Sequence, residues 1–320
     1  MSTFAHAVEG AAIGAVQVVL VGLGGLVLLG CMRKVRARLE GRVGAPVLQP
    51  VADVRKLLRK ERIRPDQATW IFALAPVVLV ATVAVAASIS PLVTTRPALS
   101  SGSDLFVIVY LLLTGSTLLA LAGLDAGTAF GGMGSSRTVT IAALAEPALL
   151  VSILALGVTA RSSNLPAIVH STLAHPASVA TPERLFALAA LLVVIVAESG
   201  RLPVDNPATH LELTMIHEAM ILEYAGPDLA LVTVGEAMRL SLLLALFVNL
   251  LAPWGVATSR TAVAVGIGTV ALAGKVAIVG GCMAAIEVSL AKLRLFRLPE
   301  LLAGAFVLAL LGVVSELVVR

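Results

Sequence analysis

LFALAALLVVIVAESGRLPVDNPATHLELTMIHEAMILEY (185–224) begins as an uninterrupted apolar run and turns abruptly into the most titratable part of the chain. Residues 198–224 hold Glu198, Asp205, Glu212, Glu218 and Glu223 with His210 and His217, which is five of the 19 acidic residues and two of the five histidines. The apolar half reads as a membrane-spanning helix, because about 30 Å of hydrocarbon takes about 20 residues at roughly 1.5 Å each. The polar half reads as a connection at the membrane edge.

The rest of the chain supports a membrane setting. Its 320 residues are 58% hydrophobic and 13% charged, with a mean hydropathy of +1.00. A soluble domain runs nearer roughly 45–50% apolar and 25% charged, and its large exterior could not hide this much Leu, Val and Ala. Apolar runs recur near 8–32, 68–91, 104–123, 138–160, 183–197, 232–252, 261–288 and 300–319. They are continuous rather than alternating, which argues against a barrel and favours helices as the way to satisfy the backbone in lipid. The expectation is an all-α polytopic membrane protein, one transmembrane domain over 1–320 with about eight spans. The first run lacks a preceding basic residue and is too long for the core of a cleavable signal.

Eleven of the 23 Lys and Arg lie between Arg33 and Arg64, directly after the first span. There they act as an orientation signal rather than as a nucleic-acid footprint. Lys292, Arg294 and Arg297 follow the seventh span, whereas the connection after the second holds only Arg96. The positive-inside rule then puts connections 33–67, 124–137, 198–231 and 289–299 in the cytoplasm and both termini outside, in a cell (plasma or inner) membrane. The outer segment 161–182 reads as a Ser-, Thr- and Pro-rich loop.

Cys31 and Cys282 stand alone in apolar runs, so no iron–sulfur, zinc or c-type haem spacing exists and no cofactor is expected on this chain. His217-Glu218 starts like a zinc-protease motif, but Ile221 stands where the second histidine belongs. FGGMGSSR (130–137) lacks the ending of a phosphate loop and reads as a tight turn.

Within the acidic stretch, Pro203 and Pro207 break the preceding helix, and Asp205 or Asn206 can cap a new one running from about Thr209 to Tyr224. On such a helix the acids and histidines spread over several faces instead of one. That pattern fits a helix with protein or water on several sides, where poorly hydrated carboxylates hold protons near neutral pH. A plain solvated loop is the competing reading. Glu146 and Lys275 lie within spans, where a charge costs at least about 2.5–3.5 kcal/mol, so each marks either function or a structural ion pair. Asp104, Asp125, Glu236 and Arg239 sit near span edges, and Asp104, Asp125 and Glu287 read as interface markers.

Two stretches resemble a known family. GRVGAPVLQPVADVRKLLRKE (41–61) is similar to the connection after the first helix in the subunit 1 family of respiratory complex I. AESGRLPVDNPATHLELTMIHEAMILEY (197–224) resembles the signature of formate hydrogenlyase subunit 4 and the membrane anchors of group 4 nickel–iron hydrogenases. The resemblance implies a membrane subunit that anchors a peripheral redox arm and couples electron transfer to proton or sodium movement. It implies hydrogenase large and small subunits and iron–sulfur subunits as cytoplasmic partners, carrying the NiFe and iron–sulfur centres, with antiporter-like subunits beside it in the bilayer.

By position, Glu146, Glu198, Arg201, Asp205, Glu212 and Glu223 match the family's acidic and basic signature residues. With Glu218 and Lys275 they are the expected coupling path. Arg42, Gln49, Asp53, Lys56, His210, His217 and Tyr224 are the expected peripheral-arm contacts. Val204 replaces the aromatic residue of complex I, and Val54 replaces its glycine. Both departures favour the hydrogenase branch over a quinone-reactive subunit, which is the alternative, as is a passive anchor without an ion path.

Overall fold

The computed structural model describes residues 2–97, 102–205, 216–290, 293 and 297–319. Among them the chain is helical: α1 (Ser2–Leu39), α2 (Gln49–Leu57), α3 (Trp70–Ile89), α4 (Leu105–Asp125), α5 (Ala129–Ala160), α6 (Leu165–Ala174), α7 (Pro182–Glu198), α8 (His217–Ile221), α9 (Gly226–Leu251), α10 (Ala262–Ser289) and α11 (Leu298–Val319). A short 3-10 turn, Pro176–Ala180, precedes α7.

Seven of these helices are long and apolar enough to cross a bilayer: α1, α3, α4, α5, α9, α10 and α11. The expected fifth of about eight spans, α7, is 17 residues long and falls short of that length. Glu183 and Arg184 at its start and Glu198 at its end confine its apolar stretch. The protein is a multi-pass, all-α membrane protein.

Lipid tails are as apolar as leucine, so close fit rather than water exclusion brings such helices together. The α9 helix is the centre, buried over most of its length against α1, α3, α7 and α10. On one side α7 packs with α5 and α11, and on the other α3 packs with α4. The α10 helix is the least covered span, with Val263, Val270 and Ile278 exposed.

Two sequence expectations fail here. FGGMGSSR is not a turn but the first part of α5; the turn lies just before it, at Gly127 (φ 68°), and Thr128 caps α5 by accepting a hydrogen bond from Gly131 N at 3.2 Å. The glycines serve contact: a Cβ on Gly134 would sit 2.9 Å from the Ile216 carbonyl oxygen and from Met220 N, so only glycine lets α5 run against α8. Segment 161–182 is not merely a loop. Asn164 caps α6 through Ala167 N, and α6 buries Leu165, Ile168 and Val169.

The helix expected over Thr209 to Tyr224 is shorter in its described part. It occupies His217–Ile221, and the chain leaves the helix at Leu222 and turns at Gly226 (φ 56°) into α9. A Cβ on Gly226 would meet the Glu61 carbonyl oxygen at 2.3 Å, so the turn and the first connection share one tight packing site.

Candidate functional site

The C-terminal ends of α7 and α10 converge on the middle of α9, together with α8 and the turn 199–205. Glu198, the last residue of α7, forms a short ion pair with Arg239 of α9, and both side chains are more than nine-tenths buried. One turn of chain later, Arg201 donates to Glu287 near the end of α10 at 3.1 Å. His217 places Nε2 3.8 Å from a Glu236 carboxylate oxygen on α9. Buried Asp205 accepts from the backbone nitrogens of Ile216 and His217, each at 3.3 Å, and so fixes the start of α8. Glu146 lies half-buried on α5, close enough to feel the charges of Glu198 and Arg239.

A buried ion pair recovers its desolvation cost only when the geometry is close and the remaining polar atoms are satisfied. Here satisfaction is partial. Among the described residues, buried His217 Nε2, Glu236 Oε1, Arg239 Nε and Thr138 Oγ1 make no hydrogen bond. They surround two cavities. An inner one of about 50 Å³ is lined by Glu198, Asp205, His217, Arg239, Ser116 and Thr138, among others. An outer vestibule of about 590 Å³ is lined by Arg33, Arg36, Arg201, Glu218, Glu236 and Glu287 with apolar Leu29 and Met32. Gly200, Asp205 and His217 line both.

The first connection is held beside the vestibule by a different device. Asp228, in the first turn of α9 and 1% exposed, takes two bonds from Arg62 at 2.7 and 2.5 Å, and Arg64 lies at 3.5 Å. The Asp228 carboxylate raises the Arg62 pKa above its ordinary value, against a smaller opposing effect of burial. In α2, Gln49 donates to Asp53 at 2.8 Å, while Val54 packs under Leu26, Ala230 and Ala237. Arg42 and Lys56 are exposed, and Gln49 and Asp53 are half-exposed.

Tyr224 is not the surface contact expected of it. It is 3% exposed, stacks on Phe72 with centroids 4.1 Å apart, and donates to the Phe72 carbonyl oxygen at 3.0 Å. Burial, then the Asp228 and Asp125 carboxylates, push its phenol pKa up, which keeps it a donor. Glu218 faces the vestibule and Glu223 is half-buried beyond α8. His210 and Glu212, like Lys292 and Arg294, lie outside the described residues.

Lys275 is not brought to Glu146. Its Nζ donates to Asn249 Oδ1 at 2.8 Å and to the carbonyl oxygens of Ala252 and Trp254 at 2.9 and 3.2 Å, closing the far end of α9.

Sequence reasoning gave Arg239, Glu236 and Glu287 no part in the site, because span edges are where unremarkable charges sit. It passed over Asp228, although Gly226-Pro227-Asp228 is a helix start with an acid in the first turn, where the helix dipole favours it. Among the described residues no group of three or more His, Cys, Asp or Glu side chains could hold a metal ion.

This fold and this acid-rich seam define a membrane subunit in which titratable groups are buried next to a vestibule. The sequence pattern of the family described as NADH dehydrogenase matches residues 12–317. Formate hydrogenlyase subunit 4 of Escherichia coli (strain K12) is 32% identical over 91% of this chain and 93% of its own length. Hydrogenase-4 component C of the same organism is 33% identical over 71% of this chain and 70% of its own. Among solved structures, a chain of the membrane-bound sulfane sulfur reductase, an archaeal respiratory membrane complex, matches 96% of this chain and 99% of its own with a TM-score of 0.80 at 18% identity, a likeness of fold.

The chain therefore belongs to the NADH dehydrogenase family, in the complex I subunit 1 lineage that includes these hydrogenase subunits. It is a membrane subunit of an energy-converting oxidoreductase complex.

Proposed function

We propose that this chain is the membrane anchor of a formate hydrogenlyase-type hydrogenase and couples electron transfer in a peripheral arm to the movement of protons, or sodium ions. In this reading the face bearing α2, the vestibule and the 198–205 turn is cytoplasmic, and the membrane is the plasma or inner membrane. Hydrogenase large and small subunits and iron–sulfur subunits, carrying the NiFe and iron–sulfur centres, dock over Arg42, Lys56 and the vestibule rim. Antiporter-like subunits lie alongside in the bilayer. This chain supplies no redox centre.

The carrying observation is the Glu198–Arg239 pair, buried beside an inner cavity and within electrostatic reach of Glu146. A change in charge or shape at the vestibule alters the balance between pair and proton, because burial magnifies every electrostatic term. Glu146 then receives or returns a proton deeper in the span. The test is translocation per electron pair in sealed vesicles containing the intact complex, for Glu198→Gln and Glu146→Gln. Both ratios should fall at least several-fold; a ratio equal to wild type in both removes the acid path and leaves a passive anchor.

The vestibule supports one second reading. Its volume of about 590 Å³ lies in the range of small-molecule sites, roughly 300–1,000 Å³, with apolar Leu29 and Met32 beside Arg33 and Arg36. A quinone-reactive subunit would use such a space, and a photoreactive quinone analogue labelling Met32 or Leu240 in the intact complex would favour it.

A further inference from the structure

We propose that His217 is the proton hand-over residue between the vestibule and the Glu198–Arg239 pair, an assignment that rests on the coupling function above. The observation is positional. Of the groups that line both cavities, Gly200 has no side chain, and the Asp205 carboxylate is committed to the start of α8. His217 is the third and has a side chain that both takes and gives a proton. Its Nε2 is buried, makes no hydrogen bond among the described residues and faces Glu236 at 3.8 Å.

The surroundings suit transfer rather than a fixed structural bond. Glu236 Oε1, Arg239 Nε and Thr138 Oγ1 are buried without hydrogen bonds among the described residues, and a buried polar group left so is costly unless water serves it. The inner cavity of about 50 Å³ has room for on the order of three waters, at roughly 10–15 Å³ each, and is lined by Thr138 and Arg239, while Glu236 lines the vestibule. The charged groups facing His217 are Glu236 and Arg239 from α9, Glu198 from α7, Asp205 from the turn and Glu218 from its own helix. The Arg201–Glu287 pair stands across the vestibule.

In the step, one ring nitrogen takes a proton arriving through the vestibule. The other gives one up to cavity water beside Glu198. One proton enters, one leaves, the ring returns to neutral and no electron moves.

The test measures protons moved per electron pair in vesicles carrying the intact complex, for His217→Gln, for His217→Gly with and without added imidazole, and for Glu198→Gln as reference. The expected result is at least a fivefold fall in the ratio for His217→Gln and for His217→Gly, with imidazole restoring the His217→Gly ratio. Coupling retained in His217→Gln while Glu198→Gln loses it overturns the relay and leaves the coupling function standing. Coupling retained in Glu198→Gln overturns the relay, and when Glu146→Gln is unchanged as well it defeats the coupling function with it. Failure of both His217 variants to assemble, or an imidazole-insensitive defect, assigns His217 a structural role and overturns the relay.

Discussion

The C-terminal end of α9 (its far end) and the stretch around Glu236 and Arg239 (the near end, toward α8) handle buried polar groups in opposite ways. At the far end, side chains close on backbone. Asn249 donates to the carbonyl oxygens of Pro91 and Leu92 at 3.0 and 2.7 Å, and Gln17 accepts from Leu92 N and Val93 N at 3.1 and 3.3 Å. Lys275 closes the helix terminus, and Arg184 donates to the Leu250 carbonyl oxygen at 2.6 Å and to Thr172 at 2.8 Å. Backbone and amide oxygens do not titrate, so the acceptors at this end are static, and Lys275 is the titratable donor they hold; Arg184 Nε is buried there without a hydrogen bond among the described residues. At the near end, side chains meet side chains, Glu198 with Arg239, Arg201 with Glu287 and His217 with Glu236, with cavities between them. A polar network completed by backbone fixes a fold, whereas one left partly open around water can change its protonation.

The sharpest way to break that contrast is at Arg239. Arg239→Gln leaves Glu198 buried without its cation, which costs about 3–5 kcal/mol, and assembled complex should be largely lost from detergent extracts. The double variant Glu198→Leu with Arg239→Met should recover assembly yet not translocation, which separates holding the fold from moving the ion. Recovery of both would place the near end in the same static class as the far end.

A smaller effect is expected at the far end. Asn249→Ala strips partners from two carbonyl oxygens and from Lys275, at about 1–3 kcal/mol. It should lower the thermal midpoint of the complex without altering ions moved per electron pair, measured on what assembles. A change in that ratio would join the far end to the coupling path and return Lys275 to it.

Asp228→Asn weakens charge-assisted bonds from Arg62 and Arg64 that are each about 1.5–3 kcal/mol in such settings, less here because both arginines are half-exposed to solvent. Limited proteolysis should then cut the 58–68 connection several-fold faster, and an unchanged rate would show that Gly226 packing alone holds it. The smallest effect is Tyr224→Phe, which keeps the Phe72 stack and removes one bond, about 1 kcal/mol by thermal denaturation.

Much of this was legible in the chain itself. The apolar runs and the lack of alternation specified membrane helices, and clustering of acids after 197 marked the seam where the ion pairs form. Glu198, Arg201, Asp205 and Glu146 were named from sequence and are brought to one place. Their partners were not, since Arg239 and Glu287 lie dozens of residues away, and a charge at a span edge looks the same whether it meets lipid headgroups or a buried carboxylate. Tyr224 was read as a peripheral-arm contact because it closes the motif that carries the family resemblance, and Lys275 as a path residue because its run is apolar.

Sequence alone determined that the chain is built of apolar, membrane-crossing helices and where charge concentrates, because transfer from water to hydrocarbon acts on each segment separately. Only the tertiary structure decided which charges pair, which close on backbone and which face a cavity. Those outcomes depend on distances of a few ångströms between helices far apart in the chain, set by close packing at points such as Gly134 against α8.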